Sequence, residues 1–347
     1  MPGRVFFVVP RVSYACGGVN ITIQFADILR RSGVDAYLIV ERADYRYEFV
    51  SYDVPTVYCP IGPAALRLGK RDRMLKTLNW RPPGKARNPR VQPGPDDIIV
   101  IPEVQYPAQR ARFAGCPWIL MNQSTTIMAE TCARTGYGDL AADPTHIGTI
   151  ATSEAALRTV RALADPDAVR VPLALDGDRY GHVERKRKLI SYMPRRRADQ
   201  VHIIVDLLRA HPALEGYEFQ PIHGMTGAEV DACLRESLLF LSFSHQEGFG
   251  LPPAEAMAMG CLTIGYAGVG GQEFFTKATG FPIPEDDIAE YVTRVVEVVT
   301  AYERDPAPLD ALRRGASQAI LGRYTRAATQ EALLNFWNRL EFRTNPA

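Results

Sequence analysis

Short apolar runs alternate along this chain with longer stretches of helical periodicity. Residues 4–9 read as a first strand stopped by Pro10, and 19–31 carry Phe25, Ile28 and Leu29 at helical spacing before Gly33. Strand-like runs follow at 35–40, 98–101, 118–121, 147–152 and 169–173. The alternation restarts after Arg185-Lys186-Arg187: strands at 189–192, 218–222, 238–243 and 262–266 are interleaved with helices at 199–210, 228–236, 252–259 and 288–302. This βαβα rhythm predicts two α/β domains, each a mostly parallel sheet with helices on both faces. The break falls near 175–185, giving a first domain over 1–178 and a second over 179–325. Residues 326–347 form an amphipathic last helix (Leu333, Leu334, Trp337, Leu340) that is free to pack back on the first domain. Two such sheets create a cleft between their carboxyl ends, where open α/β sheets bind ligands.

The 347 residues are enough for two such domains, and the net charge of +1 gives no general pull toward nucleic acid. No apolar run is long enough to span a membrane, and the short apolar start reads as a strand rather than a signal peptide. Six scattered cysteines without a C-x-x-C pair fit a reducing, cytoplasmic setting. The six histidines show no metal-ligand spacing, so neither a metal nor a cofactor is expected. One segment breaks the rhythm. Residues 66–90 hold nine Lys/Arg against one acid, and the second half is rich in Pro and Gly. It reads either as a solvated insertion or as a basic surface for an anionic membrane or a phosphate-bearing acceptor.

The densest chemistry lies in 247–260, EGFGLPPAEAMAMG. Gly248 and Gly250 allow a ligand to approach the backbone, and a helix beginning at the Pro-Pro pair presents free N–H groups. Glu247 and Glu255 flank this loop. A carboxylate accepts hydrogen bonds from two neighbouring hydroxyls, so the pair suits a ligand with two polyols and a phosphate between them, such as a nucleotide sugar. Each feature alone also has a plain reading, with Glu255 complementing the helix dipole and GFG forming an ordinary turn.

The run SHQEGFGLPPAEAMAMGCLTIG resembles the donor-site signature of retaining GT-B glycosyltransferases, glycosyltransferase family 4 above all. The likeness extends over most of 189–284, including Gly270-Gly271-Gln272-Glu273, and is weaker in the first half. It implies a GT-B fold. It also implies that Glu255 holds the donor ribose and Glu247 the transferred sugar. Gly248, Phe249, Gly250 and Leu251 would contact sugar or phosphate through their backbone, Gly17 and Gly18 would pass near the diphosphate, and His223 would lie near the base. Where the family places its phosphate-binding Gly-Arg and Lys, this chain has ISYMPRRRAD. Arg196, then Arg195, best replace them for catalysis, with Arg197 as a further donor contact. A charged helix start facing solvent is the other reading of these arginines. Asn122 and Gln123 sit where the first sheet meets the cleft and read as acceptor or sugar contacts or as a polar strand cap. The expected activity is metal-independent, retaining transfer of a sugar from a nucleotide sugar to a glycan or lipid-linked acceptor, with peripheral membrane contact through 66–90. The alternatives are a nucleotide-sugar epimerase or hydrolase, or a non-catalytic partner subunit.

Overall fold

In the computed structural model, residues 3–60, 88–104, 106–135, 139–175 and 178–344 are described. The basic segment lies outside the described residues except for its last three positions. There Asn88 donates from Nδ2 to the Tyr45 carbonyl at 2.8 Å, and Pro89 accepts from the Tyr58 N–H at 2.9 Å.

The first sheet contains β1 (Val5–Val8), β2 (Ala36–Val40), β3 (Thr56–Tyr58), β4 (Ile98–Pro102), β5 (Trp118–Asn122), β6 (His146–Ala151) and β7 (Val169–Arg170). Their order is β3-β2-β1-β4-β5-β6-β7, and every pairing is parallel. The second contains β8 (Arg187–Tyr192), β9 (Glu218–Pro221), β10 (Ser237–Phe243), β11 (Leu262–Tyr266) and β12 (Phe281–Ile283), in the order β12-β11-β10-β8-β9, again all parallel. The central strands VFFV, IIVIP, WILMN and SLLFLSF are buried along their whole length. Helices cover both faces of such sheets, so their strands need apolar residues at every position instead of at alternate ones. The two domains expected from the sequence are present. The sequence reading passes over β3, which has three residues, and places the first helix two residues late. That helix, Gly17–Arg31, begins at the glycine pair itself.

Strand order reverses between β1 and β4 in the first sheet and between β8 and β10 in the second. The connections leave in opposite directions there, and a crevice opens at the carboxyl ends of the strands. Residues 9–16 and Glu103 lie at the first crevice; residues 193–197 and 244–250 lie at the second.

The domains are joined on one side of this cleft by a dense polar contact. The Ser153 hydroxyl donates to the Gly248 carbonyl. Glu273, from the GGQE segment and almost fully buried, accepts from Arg170 at 2.8 Å, from the Tyr324 hydroxyl at 2.7 Å and from the Glu154 N–H at 2.8 Å. The last helix, Arg326–Thr344, returns to the first domain. Arg326 pairs with Asp27, Gln330 reaches Ser32 at 3.2 Å, and the Phe336 ring covers Gly148 on β6.

Candidate nucleotide-sugar site

Both crevices open onto one cavity of about 630 Å³. The second domain supplies Arg195 and Arg196 after β8, His223 and Gly224 after β9, and Ser244, Glu247 and Pro252 after β10. The first domain closes it with Ser13, Tyr14 and Phe49. The volume and the mixed polar and apolar lining suit a single small ligand.

Glu247 lies deep in this wall, its side chain 15% exposed. Burial raises its pKa above the ordinary carboxylate value, and the charges of Arg196 and Arg195 oppose that rise. The nearest cation is the Arg196 Nε, 3.6 Å from Oε1, too far for a good hydrogen bond. Arg196 is itself 44% exposed, and Arg195 is exposed. The carboxylate and the two guanidinium groups therefore face the cavity with most of their bonding capacity free.

Glu255 lies on the helix Leu251–Ala258, within one turn of the two prolines that line the cavity, and is not itself in that lining. Tyr180 donates to its Oε1 at 2.7 Å, and among the described residues Tyr180 is the one hydrogen-bond donor to it. Burial raises the Glu255 pKa; the Tyr180 hydrogen bond and the Arg179 charge lower it, and Asp231 and Glu247 raise it further. Arg179 is in turn held in a fork by Asp231 at 2.7 and 2.6 Å. The result is a carboxylate fixed in place from one side.

The loop between the two glutamates is shaped by its glycines. A Cβ on Gly248 would fall inside the Gln123 carbonyl, so only glycine lets the two domains meet there. Gly250 has φ +93° and begins the helix, a conformation that costs any other residue strain. Gly17 abuts the Leu251 side chain, and Gly18 lies against Gln123; neither glycine is in the cavity's lining.

Several of the expected site residues have their side chains engaged elsewhere, which leaves the backbone contacts expected of Phe249 and Leu251 untouched. Phe249 turns its ring into the core, with centroids 4.9 Å from both Phe274 and Tyr324. Leu251 points at Gly17. Arg197 turns away from the cavity. It adopts φ +49°, pairs with Glu285 and Asp286, and stacks its guanidinium 4.7 Å above the Tyr266 ring. The register of the arginine run is thus divided, with Arg195 and Arg196 in the site and Arg197 bracing the helix start. Asn122 is fully buried and donates to the Ala156 carbonyl at 2.9 Å, so it has no reach to an acceptor. Gln123 differs. Its Nε2 donates to the Gly18 carbonyl at 3.2 Å and to Thr22 at 3.3 Å, while its Oε1 has no partner among the described residues.

Sequence reasoning missed Tyr14 and Phe49 on the cavity wall, Tyr180 behind Glu255, and Glu103. The last is 3% exposed at the end of β4 and accepts from the Gln123 N–H at 3.0 Å. Burial pushes its pKa up to about 7, against the pull of that hydrogen bond. The signal for Tyr14 and Phe49 was their place after strands of the first crevice; nothing local marked Tyr180 or Glu103.

Among the described residues no helix is long and apolar enough to cross a membrane. Residues 218–307 match the family model described as Glycosyl transferases group 1. The chain is 24% identical over 229 residues to an alpha-1,6-glucosyltransferase of Actinobacillus pleuropneumoniae serotype 7, a match covering 62% of this chain and 67% of the relative. Anabaena HepE, solved in complex with UDP-glucose, superposes with a TM-score of 0.65 at 12% identity over 97% of this chain and 99% of HepE. TarM of S. aureus gives 0.53 at 14% identity over 72% of this chain, and the match spans just over half of TarM, 56%. The fold of this chain is GT-B, and residues 218–307 of its second domain are similar to the glycosyl transferases group 1 family.

Proposed function

We propose that this chain is a retaining glycosyltransferase that moves a sugar from a nucleoside diphosphate donor to a hydroxyl of a glycan or lipid-linked acceptor. One observation carries the reading: a buried, under-bonded Glu247 shares a cavity with two exposed arginines, Arg195 and Arg196, of which Arg196 reaches it only at 3.6 Å. A sugar whose hydroxyls donate to Glu247 would place its diphosphate toward the guanidinium groups. Glu255, held by Tyr180, receives the ribose hydroxyls, and the bond between Tyr180 and Glu255 orients the lone pairs left for them.

The chemistry balances within these groups. The acceptor hydroxyl oxygen forms a bond to the anomeric carbon while the bond from that carbon to the β-phosphate oxygen breaks. The electron pair leaves with the phosphate, and the hydroxyl proton passes to the same phosphate oxygen on the same face of the sugar, so configuration is retained. A glycosidase-like nucleophile would need a second carboxylate about 5 Å from the first at the anomeric carbon. This route needs none. Arg195 and Arg196 stabilise the charge that develops on the diphosphate, which is where preorganised donors act most strongly. With those two charges in place the reaction is written without a metal.

The donor of first choice for a test is UDP-glucose, since HepE is solved with that molecule and the curated relative is named a glucosyltransferase. Saturating UDP-glucose should raise the melting temperature, because a ligand at about 100 times its Kd adds about 2.7 kcal/mol to the native state. Glu255→Ala should remove the shift. Absence of any shift across UDP-, GDP-, ADP- and dTDP-sugars, or a shift that survives Glu255→Ala, would defeat the proposed donor site. Product analysis with and without added oligosaccharide separates transfer from hydrolysis or epimerisation.

A further inference from the structure

A second cavity, of about 420 Å³, lies entirely on the first domain and shares Ser13 and Phe49 with the cavity described above. The loop after β1 therefore forms a wall common to both. Two tyrosines fix that wall. The Tyr45 hydroxyl accepts from the Val12 N–H at 3.2 Å, and the Tyr47 hydroxyl accepts from the Cys16 N–H at 2.8 Å while donating to Asn20 at 2.9 Å. Tyr47 also holds Phe49, with ring centroids 5.3 Å apart.

The charges on this cavity are unequal in availability. Arg42 is closed off by a two-point bond to Asp44 at 2.8 and 2.7 Å. Arg11 is exposed, and among the described residues no carboxylate lies within ion-pair distance of it. Arg46 lies 5.0 Å over the Tyr52 ring with Nη2 3.5 Å from the Tyr52 carbonyl; it too has no carboxylate partner among the described residues. Glu48 adds one exposed carboxylate to the rim. Two available guanidinium groups beside one carboxylate match a ligand with a single oxyanion and several hydroxyls. Glu48 would repel an extended polyanion and would accept bonds from hydroxyls. The aromatic character of the shared edge agrees. Phe49, which lines both cavities, is 44% exposed, and Tyr14, which lines the larger one, is 52% exposed; the C–H face of a sugar ring can rest on this apolar surface.

We propose that this second cavity is the acceptor site and that its ligand is a saccharide carrying one oxyanion, held by Arg11 and Arg46, with Phe49 at the junction where the acceptor hydroxyl meets the donor. The assignment rests on the donor reading above and names the acceptor class for it. The oxyanion is either a uronate carboxylate of an acidic glycan or the phosphate of a phosphate-linked one, and the test separates these sources.

The experiment measures binding to the full chain in the presence of saturating UDP, so that the donor cavity does not take the anionic probes. The probes are a glucuronate-terminated disaccharide, its neutral glucose-terminated counterpart and glucose 1-phosphate. The wild type should bind at least one anionic probe about tenfold more tightly than the neutral one, with affinity falling as salt is raised. In Arg11→Gln/Arg46→Gln that preference should vanish while binding of the neutral disaccharide and the UDP-induced thermal shift stay within about twofold. Preference for the disaccharide assigns an acidic glycan; preference for the sugar phosphate assigns a phosphate-linked acceptor. No preference for either anion, or a preference unchanged in the double variant, overturns the acceptor site. Failure of UDP to shift the melting temperature of the wild type instead sinks the donor reading, and the comparison of wild type with variant toward the anionic probes is then read without nucleotide.

Discussion

The two crevices, one per sheet, are built from the same strand-order reversal but use their polar groups in opposite ways. At the second, Glu247, Arg195 and Arg196 keep unfilled bonding capacity and face the cavity. At the first, Asn122 is bound to Ala156, Glu103 holds the Gln123 N–H, and Gln123 holds Gly18 and Thr22. The first mouth uses its polar side chains to maintain its own shape and offers the cavity a serine and two aromatic rings. The second leaves charges poised for a ligand. Similar topology thus fixes where the larger cavity lies, while the local hydrogen-bond partners decide which domain supplies that cavity with charge and which with a wall.

The comparison breaks most visibly if the arginines are removed. Arg195→Ala/Arg196→Ala should lower the transfer rate by about 10³-fold, the scale of losing preorganised charge stabilisation at a leaving group. Both side chains are exposed, so thermal stability without ligand should hardly change. A rate within about fivefold of wild type would show that the second mouth does not supply the charge.

Next in size is the buried acid of the first mouth. Glu103 has an ordinary value of 4.5, and burial raises it to about 7 in the native state. Between those values the folded protein binds more protons than the unfolded chain, so stability falls as pH rises through that window. The integrated loss is about 3 kcal/mol above pH 7. Glu103→Gln keeps an acceptor for the Gln123 N–H and carries no charge. It should stabilise the protein at pH 8 and change little at pH 5, as followed by denaturant unfolding. Equal effects at the two pH values would mean that folding does not raise the Glu103 pKa.

Much of this architecture was legible because its causes are local. Runs such as IIVIP and SLLFLSF read as strands buried on both faces, and EGFGLPPAE carries its turn, helix start and both carboxylates within nine residues. The unread parts depend on distance along the chain. Tyr180 meets Glu255 across 75 positions and Arg170 meets Glu273 across 103, and no local pattern encodes either pair. The arginine run shows the boundary well. The family resemblance singled out a phosphate-binding candidate, but only the left-handed turn at Arg197 separates two residues that line the cavity from one that braces the helix start. Gly248 is a converse case: its glycine invited a ligand-contact reading, whereas the tightest approach is made by the other domain's backbone.

A smaller effect is expected at Asn122. Asn122→Ala removes the buried side-chain hydrogen bond to the Ala156 carbonyl and the acceptor of the Ser124 N–H, and should cost about 2 kcal/mol. If the first mouth is structural, that loss appears in unfolding, and kcat/KM of the folded fraction stays near the wild-type value. A specific rise in acceptor KM with unchanged stability would return Asn122 to the site.

The smallest prediction concerns Arg197, where the two roles of an arginine are closest in sequence. Its guanidinium is held by Glu285 and Asp286, whose side chains are 49% and 65% exposed, so each ion pair is strongly screened. The stack on Tyr266 and the hydrogen bonds add packing that a surface pair lacks. Arg197→Ala should therefore cost only about 1 kcal/mol of stability, less at high salt, with transfer activity unchanged. Arg197→Gly loses the same contacts but relieves the φ of +49°, a relief of about 1 kcal/mol, so it should come out more stable than Arg197→Ala despite the greater freedom of its unfolded chain. That order separates backbone relief from lost side-chain contacts. A drop in transfer rate in both variants comparable to that of Arg196→Ala would place Arg197 on the donor phosphate after all and erase the division drawn within the run.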